Sequence, residues 1–80
     1  MSGKQRTIAL PSVADLVRAF NLTQTEAEVT LDLATGKSAA DIAAARAASV
    51  HTIRTHLKRA LVKTGTHTQA ALVGKVYRAE

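Results

Sequence analysis

The chain has 80 residues, of which 46% are hydrophobic, and its formal net charge is +5. This length provides one small domain without room for a second core. The chain contains no cysteine, which excludes disulfide scaffolds, thiolate zinc sites and thiol nucleophiles. No apolar run approaches the roughly 20 residues of a membrane span, and we find no signal-peptide pattern. Sixteen alanines and only two aromatic residues favour helices over a sheet, so we expect an all-α domain.

The first predicted helix is short and amphipathic. Residues 1–10 show no periodicity and are interpreted as a frayed tail, and Pro11 prevents a helix from continuing through this point. Ser12 and Asp15 then have the spacing of a capping box, and apolar residues follow at helical spacing over 13–20. Because two helical turns are unstable alone, this helix must dock on the rest of the domain.

Two further helices begin with the same signal. Thr23 with Glu26, and Ser38 with Asp41, each place an acid three residues after a hydroxyl, as a capping box requires. Gly36 lies between them and is a natural end for the second helix. The apolar residues at helical spacing in this second helix are Val29, Leu33 and Ala34.

The fourth predicted helix is the longest. Ser49 caps it, it runs over 50–63, and Gly65 ends it. The short helix before it would bury Ile42 and Ala45, and the long helix would bury a stripe formed by Ile53, Leu57, Ala60 and Leu61. A short helix, a three-residue break and a longer helix are the length pattern of a helix-turn-helix, whose second helix enters the major groove of DNA.

A last helix is expected near the C-terminus. Thr66 has Gln69 three residues later and is the preferred cap, with Thr68 as the alternative. The apolar residues of this helix are Ala70, Leu72, Val73, Val76 and Tyr77.

The side of the long helix opposite its apolar stripe is basic. With about 100° between successive residues, the outward side carries His51, Thr55, Lys58 and Val62, with Arg59 beside them and Arg54 and Lys63 on the flanks. From Ile42 to Ala79 the chain has seven basic residues and no acid, whereas residues 22–41 carry four acids and one lysine. An ordinary solvated surface explains each residue alone, but the joint pattern suits the phosphates and base edges of DNA.

One long, ordered motif covers most of the chain. It consists of Leu22-Thr23-x-x-Glu26-x-Glu28-Val29, Leu33-Ala34-x-Gly36-x-Ser38-x-x-Asp41-Ile42-Ala43, Ser49-x-x-Thr52-Ile53-Arg54-Thr55-His56-Leu57 and Lys63-Thr64-Gly65. This motif resembles the LuxR-type (GerE family) helix-turn-helix domain of bacterial transcription regulators. The resemblance implies a four-helix DNA-binding domain over 22–80, preceded by a tail and an additional short helix over 1–21.

The resemblance also implies a function and a set of contacts. It predicts a cytoplasmic, nucleoid-associated transcription regulator that binds specific double-stranded DNA, has no enzymatic activity and needs no cofactor or metal. Within the helix-turn-helix, at about residues 38–57, the third family helix would contact base edges through Arg54, Thr55 and Lys58. Phosphate contacts would come from Ser38, Thr52 and Lys63. The helical wheel adds His51 and Arg59 as further candidates.

The same resemblance implies partners. The last family helix commonly supports a homodimer, and we assign this contact to Val73 and Tyr77, where one apolar face is left over. RNA polymerase is a further candidate partner, and no membrane contact is expected.

The chain departs from the family pattern in ways that lighten its core. Arg46-Ala47-Ala48 stands where the family has Leu-Gly-Ile or Leu-Gly-Val. The glycine there supports a left-handed backbone, so Ala47 costs about 1–2 kcal/mol if the geometry is kept. Arg46 must pack its stem while its head reaches water. We hypothesise that the helix over 13–20 supplies missing apolar cover, since unusual residues also stand at Asp32, Ala60 and Thr64.

Other functions fit the sequence less well. The alternative is a protein-interaction module with little DNA specificity, in which the helix-turn-helix binds polymerase or a sensor partner. The light core and the additional first helix support this alternative. His51 and His56 are five residues apart and do not stack like a zinc pair four apart on a helix, so we expect no metal site. A helix lying on a membrane is disfavoured because the long helix lacks Phe and Trp.

Overall fold

The computed structural model describes residues 10–78. They form five α-helices and no strand, with α1 at Val13–Phe20, α2 at Gln24–Ala34, α3 at Ala39–Ala45, α4 at Val50–Thr64 and α5 at Gln69–Arg78. The all-α prediction is therefore confirmed for the described residues, whereas residues 1–9 of the predicted tail lie outside them. None of these five helices combines the length and the apolar character that crossing a membrane requires.

Helix α2 lies at the centre of the domain. It packs against each of the other four helices, and α4 packs in addition against α3 and α5. The core receives large side chains from every helix and from one loop: Leu16, Leu22, Val29, Ile42, Ile53, Leu57, Leu72 and Val76. This arrangement holds α4 by its apolar stripe and leaves its opposite side at the surface.

Three helices begin with a complete capping box, as predicted. In α2, the Thr23 hydroxyl accepts a hydrogen bond from the Glu26 backbone N–H at 3.1 Å, and the Glu26 carboxylate accepts one from the Thr23 N–H at 3.0 Å. The corresponding boxes start α1 and α3. Each box satisfies backbone donors that a helix start would otherwise leave without a partner.

Helix α1 docks on α2 through its apolar side. Leu16 is 0% exposed, and Val13, Val17 and Phe20 are half-buried against the core. Burial of this kind contributes about 1.5–3 kcal/mol for a fully enclosed leucine. The packing supports the hypothesis that α1 supplies apolar cover to a core rich in alanine.

The turn between α3 and α4 has the left-handed backbone expected of it. Ala47 has φ 53°, so an alanine adopts the conformation that glycine adopts at lower cost. Arg46 is exposed, in agreement with a head that reaches water, and this head also binds an acid of α2. Its Nη2 donates a hydrogen bond to Glu28 Oε1 at 2.9 Å, which ties the turn to α2.

Helix α4 ends in the predicted way, and the residues after it complete its end. Gly65 has φ 71°, and the Thr66 N–H donates to the Leu61 carbonyl at 2.9 Å. Thr64 is buried, and its hydroxyl donates to the Ala60 carbonyl at 2.8 Å. The hydroxyl that stands at this core position is therefore hydrogen-bonded within the helix.

The prediction of Thr66 as the cap of the last helix is wrong. Helix α5 begins at Gln69, and the Thr68 hydroxyl accepts a hydrogen bond from the Ala71 N–H at 3.0 Å. Thr66 cannot cap α5 because it belongs to the end of α4, where its hydroxyl lies 2.9 Å from that of Thr64. The alternative cap, Thr68, is the one the structure uses.

The predicted buried side of α3 was wrong at one residue. Ile42 is buried as predicted, but its buried neighbour is Ala43, and Ala45 is exposed. Ala45 lies about 200° around the helix from Ala43, so one helix cannot direct both toward α2 and α4.

Candidate nucleic-acid interface

The start of α4 differs from the starts of α1, α2 and α3. The Ser49 hydroxyl accepts a hydrogen bond from the Thr52 N–H at 3.0 Å and lies 3.0 Å from the Thr52 hydroxyl. The first turn of α4 contains no acid, whereas each of the other three has a carboxylate there. The positive end of the α4 dipole is therefore not neutralised by the chain itself, which suits an approaching phosphate.

The outward side of α4 has the composition that the helical wheel predicted. His51, Arg54, Lys58 and Arg59 are exposed, while Ile53, Leu57 and Ala60 are buried on the opposite side. Thr55 is half-buried, and its hydroxyl donates to the His51 carbonyl at 3.1 Å. With its hydroxyl proton bound within the helix, Thr55 can offer its methyl group and the acceptor side of its hydroxyl oxygen.

Three cations of α4 have no acidic partner among residues 10–78. These are Arg54, Lys58 and Arg59, which we call the α4 basic face. The carboxylates of the described chain are bound elsewhere: Asp15 to Arg18, Glu26 to Lys63, Glu28 to Arg46, Asp32 to Lys37 and Asp41 to the Ser38 N–H. The free positive charge of the helix-turn-helix is therefore concentrated on one side of one helix.

An apolar side chain continues this surface toward the end of α4. Val62 is 76% exposed and lies one helical turn after Lys58. The helical wheel placed Val62 on the outward side, but the sequence assigned it no role. An exposed methyl-bearing side chain there can contact a thymine methyl group or a protein partner.

The two predicted phosphate contacts at helix starts have different surroundings. Ser38 and Thr52 are both exposed. Ser38 lies beside the carboxylate of Asp41, which accepts the Ser38 N–H at 3.0 Å. Hydrogen bonds from Ser38 hold the pKa of the Asp41 carboxyl below its ordinary value, so the group is an anion at neutral pH. The start of α3 is thus less favourable for a phosphate than the start of α4.

Lys63, the third predicted phosphate contact, lies at the surface but is paired with an acid of α2. Its Nζ donates to Glu26 Oε1 at 2.8 Å, and Glu26 is only 3% exposed. Burial raises the pKa of the Glu26 carboxyl, but the hydrogen bonds from Lys63 and Thr23 and the Lys63 charge outweigh it and lower the pKa. The ion pair links the end of α4 to the start of α2. Local spacing in the sequence gave no signal for this ion pair, because its two residues are 37 positions apart.

The two residues predicted to support a dimer lie on α5. Val73 is half-buried against the core. Tyr77 is 49% exposed, and its hydroxyl donates to the Ala34 carbonyl at 3.0 Å. That carbonyl belongs to the last turn of α2, where helix carbonyls lack an intrahelical donor. Tyr77 therefore ties α5 to α2 while one side of its ring faces outward.

Among the described residues, no three His, Cys, Asp or Glu side chains cluster closely enough to hold a metal ion. His56 is half-buried, and its Nδ1 is enclosed without a hydrogen-bond partner. The exposed polar groups on the outward side of α4 are therefore cations, hydroxyls and the imidazole of His51.

Comparison with known proteins adds the family. No curated protein and no solved structure matches the chain significantly. A family model described as "Bacterial regulatory proteins, luxR family" (GerE) matches residues 20–76, from the end of α1 to the last turns of α5. This match covers well over half of the chain and confirms the resemblance found in the sequence. The chain therefore belongs to the luxR family of bacterial regulatory proteins.

Proposed function

We propose that this protein binds duplex DNA with sequence preference and acts as a transcriptional regulator, with α4 in the major groove. The observation that carries the proposal is the α4 basic face, in which three exposed cations lie free of acids on one side of a helix. Family membership supports it, since luxR-family helix-turn-helix domains are DNA-binding regulators. A helix of this length fits the groove and can present several side chains to base edges.

We assign base contacts to Arg54, Thr55 and Lys58. An arginine or lysine can donate to the acceptors of guanine, and the threonine methyl can contact a thymine methyl. Phosphate contacts would come first from Thr52 at the acid-free start of α4 and then from Ser38. His51 and Arg59 lie next to these residues on the exposed side and complete the proposed surface.

We propose that two copies bind a two-fold symmetric site through α5. The outward side of the Tyr77 ring and the exposed edge of Val73 would form the contact, while the Tyr77 hydroxyl stays on the Ala34 carbonyl. Sedimentation of the protein alone and with DNA tests this part of the proposal. A monomer under both conditions would contradict it.

The division of the chain follows from the same assignment. We propose that residues 22–80 form the DNA-binding unit and that residues 1–21 add α1 to it. The protein would act in the cytoplasm on chromosomal DNA, with RNA polymerase as a partner and without a cofactor.

One observation favours a second function. Val62 is 76% exposed at the end of the α4 outward side, and an apolar group there suits a protein partner. In this alternative the domain binds polymerase or a sensor protein and has little DNA specificity.

A selection from random oligonucleotides, followed by binding at several salt concentrations, tests the two functions against each other. DNA regulation predicts an enriched motif and an affinity that falls steeply with salt. Failure to enrich any motif over random competitor would contradict it and favour the interaction module.

A further inference from the structure

Within residues 10–78, only two ion pairs join distant parts of the chain, and both start from α2. Glu26 binds Lys63 near the end of α4 at 2.8 Å, and Glu28 binds Arg46 at the turn before α4 at 2.9 Å. The other two ion pairs in this part of the chain are local, between Asp15 and Arg18 in α1 and between Asp32 in the last turn of α2 and Lys37 after it. The long-range ion pairs thus lie where α2 meets the helix-turn-helix.

Helix geometry lets the two glutamates reach two separate places, the turn that precedes α4 and the last turn of α4. Glu26 and Glu28 are two residues apart, so their side chains leave α2 about 200° apart. Arg46 lies at the end of α3, three residues before the cap of α4, and Lys63 lies one residue before α4 ends. A helix of fifteen residues is about 22 Å long. One tie acts on the last turn of α4 and the other on the end of α3, at the turn that leads into α4, so together they restrict how α4 can tilt relative to α2.

In the ion pair at the end of α4 the carboxylate is buried, whereas the lysine is one-third exposed. A single oxygen, Glu26 Oε1, accepts both the Thr23 N–H at 3.0 Å and the Lys63 ammonium at 2.8 Å. Glu26 is 3% exposed, so a carboxylate left without Lys63 would be a buried charge with one partner fewer. One of the three donors of the Lys63 ammonium is therefore already bound to Glu26 in the protein without DNA, and the nearest counter-charge of this lysine is Glu26.

The ion pair at the turn, between Glu28 and Arg46, also involves a carboxylate with two hydrogen-bond donors, but this carboxylate is more exposed than that of Glu26. The Glu28 carboxylate accepts from Arg46 on one oxygen and from Gln24 on the other, at 2.9 and 2.8 Å. It holds the residue next to Ala47, whose positive φ is unfavourable for alanine. The tie thus acts on the part of the turn that is least stable by itself.

We propose that Glu26 and Glu28 hold α4 in its DNA-binding orientation through Lys63 and Arg46. These two basic residues are positioning residues, and they add no net charge to the contact with DNA. The inference rests on the proposed function, because it assigns a role within DNA binding by α4. It replaces the phosphate contact that the family resemblance implies for Lys63.

The test uses the full chain, a short duplex of random sequence and the duplex enriched by selection. Lys63→Met should lower the melting temperature by about 10 °C or more, because it leaves the Glu26 carboxylate buried without its partner. Glu26→Gln combined with Lys63→Met should recover a large part of this loss, because it removes the buried charge. For both variants the salt slope on random duplex should equal that of the wild type, while preference for the selected duplex falls because α4 is less well oriented. Lys63→Arg, which keeps the ion pair, should retain this preference.

The matched control is Arg59→Met, which removes a cation of the α4 basic face. It should leave the melting temperature unchanged and reduce the salt slope by about one. The inference is overturned if Lys63→Met also reduces the salt slope by about one. If this variant does not fold, the double variant decides the same point. The inference is equally overturned if Glu26→Gln steepens the slope by freeing Lys63 for a phosphate, or if Lys63→Met leaves the melting temperature unchanged. Absence of salt-dependent binding by the wild type would instead remove the proposed function, and the stability of the double variant would still decide whether the tie exists.

Discussion

Helices α2 and α4 begin in the same way but differ three residues later, and the difference concerns both helix stability and the proposed contact with DNA. Each starts with a hydroxyl cap that accepts a backbone N–H. In α2 the third residue is Glu26, which completes a capping box, whereas in α4 it is Thr52. An acid at a helix start stabilises the helix by about 0.3–1 kcal/mol. The same acid would repel a phosphate. Helix α4, like α5, begins without this stabilising group, which α1, α2 and α3 all have.

The largest expected effect lies on the stabilising side of this comparison. Leu16→Ala should lower the free energy of unfolding by about 2–5 kcal/mol, because Leu16 is 0% exposed between α1 and α2. The change is measured by thermal or urea unfolding. Val62→Ala is the matched control, since it shortens an apolar side chain that is 76% exposed on α4 and should leave stability unchanged. A melting temperature unchanged by Leu16→Ala would show that α1 contributes no apolar cover.

The second effect lies on the binding side. Arg54→Ala should cost about 1–3 kcal/mol of affinity for the selected duplex, because it removes a base contact from the α4 basic face. Stability should not change, since Arg54 is exposed and has no acidic partner in the described chain. Arg78→Ala removes an exposed arginine of α5 and shows the effect of charge alone. Equal losses on selected and random duplex would contradict a base contact at Arg54.

The third prediction concerns one residue whose substitution should change both stability and DNA affinity. Thr52→Glu installs at α4 the carboxylate that α2 already has, and should raise stability by about 0.3–1 kcal/mol. Affinity for DNA should fall by about tenfold, which corresponds to about 1.4 kcal/mol, because the new charge lies where a phosphate would bind. Ala14→Glu adds the same charge to the first turn of α1 at an exposed position and should leave DNA affinity nearly unchanged. Unaltered binding by the Thr52 variant would place the start of α4 away from the DNA backbone.

The features predicted correctly from the sequence depend on neighbours within a few residues. A hydroxyl and an acid three residues apart predicted three capping boxes, and Gly65 predicted the end of α4. The exposed side of α4 followed from helical periodicity because one face of that helix is apolar. The wrong choice of Thr66 shows the limit of this approach, since the end of α4 and the start of α5 compete for the same short segment.

The ties between helices could not be predicted in this way. Arg46 and Glu28 are 18 residues apart, and Lys63 and Glu26 are 37 apart. Their meeting depends on how α2 packs against α3 and α4, which local spacing does not encode. The sequence therefore identified the cations of the domain, and the structure separated those facing outward from those bound to α2.

The smallest expected effect is a pH dependence of stability at the helix starts that contain a carboxylate, those of α1, α2 and α3. Hydrogen bonds from Ser12 and Ser38 hold the pKa values of Asp15 and Asp41 below the ordinary 3.8, and that of Glu26 lies below 4.5. Because the folded pKa values are the lower ones, the stabilisation is complete above these ordinary values and is lost as the pH falls through the folded values.

Amide resonances observed by NMR during an acid titration measure this loss at each helix start separately. The N–H groups of Ser12, Thr23 and Ser38 should shift as their carboxylate partners become protonated. The N–H of Ser49 has no carboxylate partner in the described chain and should not follow them. A shift of Ser49 with the same midpoint would mean that α4 responds to the carboxylates of the other helices, and the acid-free start of α4 would then not be electrostatically separate from the rest of the domain.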